Sequence, residues 1–130
     1  MFTEAMPDPV QTFPRRVLVV DDNEPSAMTL SWAMELYGCE VRTCFDGLSA
    51  VSVAHEFQPE LVLLDLGMPQ MDGYEVCRQL REDPVLQKTR VFAQTGWGDA
   101  ETRKRTSEAG FDDHMTKPID LVALVNRLRK

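Results

Sequence analysis

Short runs of consecutive apolar residues alternate with longer stretches in which apolar positions recur at helical spacing, and the alternation repeats five times after Arg16. The runs RVLVVDD, EVRTC, LVLLD, RVFAQTG and DDHMT predict strands. The segments EPSAMTLSWAMELYG, GLSAVSVAHEF and GYEVCRQLRED, a polar stretch ending at Ala109, and DLVALVNRLRK predict helices. Residues 17–20, 61–64 and 91–93 are apolar at every position rather than at alternate ones, as strands are when both of their faces are covered. The chain therefore reads as five β-α units in an α/β fold, an open parallel sheet with helices on both faces. No internal repeat or low-complexity segment interrupts it.

Turn chemistry agrees with this division. Asn23 is placed to cap the first helix with Pro25 in its first turn, and Gly38 stands where a left-handed residue would end it. Asp46 or Gly47, Asp72, Asp99 and Asp120 are placed to start the other four. Residues 1–14, MFTEAMPDPVQTFP, hold acids and three prolines with neither periodicity nor an apolar h-region. They are expected to form a flexible tail without signal-peptide character, leaving one domain over residues 15–130.

Composition narrows the function. With 14 basic against 21 acidic residues the formal net charge is −7, so the surface should repel nucleic-acid backbones and anionic membranes, and no direct nucleic-acid or membrane partner is expected. Nothing approaches the ~18 uninterrupted apolar residues of a membrane span. Cys39, Cys44 and Cys77 form no C-x-x-C pair and read as core thiols of a cytoplasmic protein.

Ligands of an open parallel sheet bind outside the carboxyl ends of its strands. Asp21 and Asp22 end the first predicted strand, Asp65 the third and Thr95 the fourth, and Lys117 follows the fifth, so all five polar groups fall on one edge. Three carboxylates brought together repel one another unless a cation compensates. With no histidine or thiolate at these strand ends, oxygen ligands favour Mg²⁺ over Zn²⁺, with Mn²⁺ as a substitute. Lys117 and the Thr95 hydroxyl add groups that stabilise a ligand with several negative oxygens, such as a phosphoryl. Any one of these acids could be a plain helix cap, but caps alone do not explain all five polar groups at strand ends on one edge. Asp65 is the hardest to explain as a cap, because Gly67, Met68, Pro69 and the Met71-Asp72-Gly73 turn separate it from its helix.

The motifs VLVVDDN, LVLLDLGMPQMDGYEV, QTGWG and TKP, in this order, resemble the receiver domains of two-component response regulators, from about Arg16 to the C-terminus. The resemblance implies a flavodoxin-like five-stranded sheet of order 2-1-3-4-5 with five helices. It also implies phosphorelay signalling, in which a histidine kinase or histidine phosphotransfer domain gives a phosphoryl group to Asp65 and an unknown downstream protein reads the switched surface. Asp21 and Asp22 match the acidic pair that places Mg²⁺, with Asp65 and the main-chain carbonyl of Gly67 completing the metal contacts. Lys117 is then expected to pair with Asp65 or its phosphoryl, and Thr95, with Gly96 beside it, to bond a phosphoryl oxygen. A cis peptide is expected before Pro118. The wording of TGWG and FDDHMTKP is most similar to receivers of hybrid sensor kinases; a stand-alone regulator and a relay intermediate are the other settings.

Some positions depart from the family pattern. His114 stands where receivers usually carry Tyr or Phe as a rotating switch residue, which predicts weaker coupling to the fourth-helix face. Gly67 and Trp97, each two residues beyond Asp65 and Thr95, flank the site; Gly67 leaves space there and Trp97 could cover it. Gln94 replaces the usual apolar residue before the threonine and is expected at a partly open strand end. On the first helix, Ala27, Leu30, Ala33, Met34 and Tyr37 should face the sheet, whereas Met28, Trp32 and Leu36 lie opposite and suggest a partner surface on a monomeric protein. His55 reads as an exposed helix residue. Two other functions fit the same class of fold: a degenerate receiver that binds partners without phosphorylation, and an aspartyl phosphohydrolase. The intact acidic set argues against the first, and Gly67, where such hydrolases place an acid, argues against the second.

Overall fold

The computed structural model describes residues 13–96, 98 and 100–129. Five strands, β1 (Arg16–Val20), β2 (Glu40–Cys44), β3 (Leu61–Asp65), β4 (Arg90–Thr95) and β5 (Asp113–Thr116), alternate with α1 (Glu24–Leu36), α2 (Gly47–Phe57), α3 (Gly73–Glu82), α4 (Ala100–Ala109) and α5 (Leu121–Leu128). The strands are parallel and lie in the order β2-β1-β3-β4-β5. No helix among the described residues is long and apolar enough to cross a membrane.

The unbroken apolar runs are explained by two cores. Leu18, Val20, Val62, Leu64, Val91 and Ala93 meet Ala50 and Ala54 of α2 and Val76, Cys77 and Leu80 of α3 on one face. Their sequence neighbours Val17, Val19, Leu61, Leu63 and Phe92 meet Leu30 and Met34 of α1 and Leu124 and Leu128 of α5 on the other. Burying one such aliphatic side chain contributes about 1.5–3 kcal/mol. Since the whole span of strand propensity is about 1 kcal/mol, two-sided burial rather than propensity fixes these strands.

The caps form as the side chains dictate. Asn23, Asp46, Asp72 and Asp120 accept the backbone N–H groups of Ser26, Ser49, Glu75 and Ala123 at 3.0, 2.8, 3.0 and 3.2 Å. Asp99 lies outside the described residues. Gly38 takes φ 92° just beyond the α1 cap, in the left-handed region that glycine enters without a Cβ clash. The three cysteines are free and buried.

Three details differ from the sequence reading. Phe13 and Pro14, at the end of the expected tail, are packed: Phe13 lies against the α1/α5 core with its ring 5.9 Å from that of Tyr37, and the Pro14 carbonyl accepts the Cys39 thiol at 3.3 Å. Residues 1–12 lie outside the described residues. Tyr37 does not face the sheet but is 46% exposed, because α1 ends at Leu36 and Tyr37 caps it. A short 3₁₀ turn, Pro84–Leu86, also joins α3 to β4, with Asp83 as its cap.

Candidate acidic phosphoacceptor site

The carboxyl ends of β1, β3, β4 and β5 bring Asp21, Asp22, Asp65, Thr95 and Lys117 to one edge, beside the β1/β3 boundary where the strand order reverses. Backbone ladders continue past the strands and aim these residues. Asp21 N–H donates to the Cys44 carbonyl at 3.1 Å, Leu66 N–H to Gln94 at 3.0 Å and Lys117 N–H to Thr95 at 2.7 Å. The Lys117–Pro118 peptide is cis.

Lys117 ties the centre together. Its ammonium lies 3.0 Å from Asp21 Oδ2 and 3.3 Å from Asp65 Oδ1. Asp21 is buried, and its other oxygen accepts the Asn23 N–H at 2.9 Å, so the residue that caps α1 also fixes this carboxylate. Asp65 Oδ1 also accepts the Gly67 N–H at 3.4 Å. One oxygen from each of Asp21, Asp22 and Asp65 lies within 4.8 Å of the others, with Asp22 the exposed member. Three carboxylates against one ammonium leave two negative charges uncompensated within the cluster. Burial, and next the charge of Asp21, push the Asp65 carboxyl above its ordinary range, against the opposing pull of Lys117 and the Gly67 N–H. Burial alone would lower the Lys117 pKa, but its bond to Asp21 and the charges of Asp65 and Asp21 outweigh it and hold the ammonium above the usual lysine value. The donor set contains only hard oxygens and suits a hard cation.

The loop after Asp65 is held by apolar pegs and one close approach. Leu66 and Met68 are buried in the α2/α3 core, Gln70 takes a left-handed φ of 67°, and Gly73 N–H donates back to the Leu66 carbonyl at 3.1 Å. A Cβ on Gly73 would lie 2.4 Å from the Asp65 carbonyl oxygen and 2.9 Å from Leu66 Cα. Only glycine fits between α3 and the strand end that carries Asp65. A Cβ on Gly67 or Gly96 would meet nothing within 4 Å.

Thr95 is buried at the end of β4, and Gly96 beyond it is exposed. Trp97 lies outside the described residues. His114 is part-buried opposite Ala93, its ring nitrogens shielded from solvent, next to Arg103 and Thr106 of α4. Trp32 and Leu36 are 59% and 89% exposed, but Met28 is partly buried, so the outward row on α1 is shorter than its spacing predicts. His55 is exposed as expected and bonds Asp83 at 2.6 Å, joining α2 to the turn before β4. Gln94 does not sit at an open strand end: it is 3% exposed, on the α1/α5 side of the sheet.

Sequence reasoning missed two parts of the site. Asn23 was legible only as a cap, because its main-chain bond to Asp21 needs the coordinates. Gly73 had a weak signal, a glycine in the first turn of a helix that Asp72 already caps, where a residue with a Cβ would form helix better.

Residues 17–129 match the family described as the response regulator receiver domain. The chain is similar to the response regulator PleD of Caulobacter vibrioides, 40% identical over 114 residues that cover 88% of this chain and 25% of that protein. It is 32% identical over 114 residues to the DNA-binding dual master transcriptional regulator RpaA of Synechocystis sp., covering 88% of this chain and 47% of that one. The chain thus spans half or less of the length of these curated relatives. Its fold superposes on the chemotaxis protein CheY4 of Vibrio cholerae with a TM-score of 0.82 at 25% identity, over 87% of this chain and 97% of that one. The motif order, the 2-1-3-4-5 sheet and these similarities agree: the chain belongs to the response-regulator receiver domain family and is a phosphoacceptor switch domain of two-component signalling.

Proposed function

We propose that Asp65 is the residue phosphorylated, in a Mg²⁺-dependent transfer from a histidine kinase or histidine phosphotransfer domain. The observation that carries this reading is the convergence of Lys117 Nζ, 3.3 Å from Asp65 Oδ1, with the carboxylates of Asp21 and Asp22 at one sheet edge. Three hard carboxylates with excess negative charge fit a bound Mg²⁺, with Mn²⁺ as substitute, held by Asp21, Asp22, Asp65 and the main-chain carbonyl of Gly67. When bound, the ion supplies the charge that lets an anionic phosphodonor approach an anionic nucleophile.

The chain's own groups do the rest. An Asp65 carboxylate oxygen attacks phosphorus, the bond from phosphorus to the donor imidazole breaks, and an acyl phosphate remains on Asp65. Lys117 is already within reach of Asp65 and turns from Asp21 toward the transferred oxygens. Thr95, with Gly96 beside it, supplies hydroxyl and backbone donors to a phosphoryl oxygen, and this rearranges the β4–α4 and β5 surface around His114. Trp32 and Leu36, with Met28 beneath them, form the face offered to the phosphodonor. On this reading the protein works in the cytoplasm as a monomer.

Borohydride reduction after treatment with acetyl phosphate tests the assignment, because it converts an aspartyl phosphate to homoserine. Peptide mapping should find homoserine at position 65 alone. Reduction at Asp21 or Asp22 instead, or at no residue with phosphate release also absent, would remove Asp65 from this role.

A further inference from the structure

A groove of about 570 Å³ opens on the α1/α5 side of the sheet, next to the carboxylate cluster but not lined by its acids. Thr29 and Leu30 of α1 form one wall, Pro118, Ile119 and Leu121 form the other, and Gln94 lies between them. The size falls in the ~300–1,000 Å³ range of small-molecule pockets, which are mostly apolar with a few placed polar groups.

Gln94 is the group the phosphoacceptor chemistry leaves unused. Gln94 is 3% exposed, and its amide nitrogen, shielded from solvent, has no hydrogen-bond partner among the described residues. A buried donor without an acceptor is destabilising and uncommon in native interiors, whereas an apolar residue of the same length would carry no such cost. The terminal torsion of glutamine is soft, so the amide can turn toward the groove with its backbone held in β4. The charge of the surroundings selects the acceptor. Lys117, at the groove edge, is already shared by Asp21 and Asp65 at 3.0 and 3.3 Å, so an added anion would meet the excess negative charge of the cluster. A cation would find no ligand on the lysine ammonium or the Gln94 amide nitrogen, which are donors only.

We propose that this groove is a binding site for a neutral, largely apolar small molecule that presents a carbonyl oxygen to the Gln94 side-chain amide. The site does not depend on phosphorylation of Asp65. It places a ligand against the Lys117–Pro118 segment and so gives the domain a second input beside the phosphoryl group.

The test is NMR of the full ¹⁵N- and methyl-labelled chain titrated with N-cyclohexylacetamide, an apolar ring bearing one neutral carbonyl. The Gln94 side-chain NH₂ pair, identified by its absence in Gln94→Met, should move saturably, and the Leu30 and Ile119 methyls should follow the same isotherm. Methyl movement in Gln94→Met should report affinity about tenfold weaker, the equivalent of one hydrogen bond. Thr29→Trp, a change at the exposed rim that leaves the core untouched, should abolish the movement by filling the groove. Asp65→Asn should bind like the wild type. No saturable movement at Gln94, or an isotherm unchanged in either Gln94→Met or Thr29→Trp, would overturn the proposal. If Gln94→Met fails to fold, the Thr29→Trp result decides it alone.

Discussion

Asp65 is folded into a position that opposes its own charge. Burial and the neighbouring Asp21 raise its pKa above the ordinary value of 3.8, and Lys117 only partly offsets them. A carboxyl with a higher pKa in the native than in the unfolded chain binds more protons when folded, so stability falls as pH rises from the unfolded value through the folded one. In metal-free buffer, Asp65→Asn is therefore expected to be more stable than the wild type at neutral pH, with the gain vanishing as pH falls toward 3.8. Thermal melts across that range check it, and an asparagine variant equal to or weaker than wild type at neutral pH would contradict it. The exposed His55–Asp83 pair has the same slope in a higher pH window and for a different reason: its bond to Asp83 raises the His55 pKa above 6.5, so its stabilising contribution is present below that value and is lost as pH rises through the folded one. At this scale the acids were legible because their type and spacing state their chemistry. Gln94 was not, since an isolated polar residue at a strand end does not say whether it faces water or a core.

Elements convert those residues into a site by holding strand ends still. The segment between β3 and α3 is the most constrained of them, with Leu66 and Met68 buried beneath it and Gly73 against the Asp65 backbone. Because the clashing atoms are main chain, Gly73→Ala cannot be relieved by a rotamer change. It should cost about 1–3 kcal/mol and displace Asp65, whereas Gly67→Ala, with open space around its Cβ, should stay within about 0.5 kcal/mol. Chemical denaturation of the two variants side by side checks this; equal stabilities would mean that the loop yields freely. The sequence stated the elements and their caps well, because Asn and Asp at strand-to-helix turns act through local bonds. It did not state the close approach at Gly73 or the outward turn of Tyr37, which depend on where a neighbouring element lies. The 3₁₀ turn at Pro84–Leu86 is held by its Asp83 cap and the buried Leu86, while the Arg81 side chain beside it donates to the carbonyls of Thr89 and Gly110 and pairs with Asp112.

Across the whole molecule, covering both faces of the sheet leaves its carboxyl edge as the place where polar groups from four strands can meet. Sheet order was legible through the family motifs, while apolar periodicity alone gave only the class. The same two-layer burial sets apart side chains that fold without a packing role. Trp32 and Leu36 are exposed, so Trp32→Ala with Leu36→Ala should change stability by no more than about 0.5 kcal/mol and leave labelling by acetyl phosphate intact. Transfer from a phosphorylated histidine kinase should slow in the same double variant, and an unaltered rate would remove that face from the docking surface. The measurement that reaches the central claim most directly is the intact mass of wild type and Asp65→Asn after acetyl phosphate, with Mg²⁺ or with chelator. A gain of about 80 Da, one phosphoryl group, is predicted on the wild type with Mg²⁺ and on neither the chelated sample nor the variant. An equal gain on Asp65→Asn, or none on the wild type with phosphate release also absent, would contradict the account.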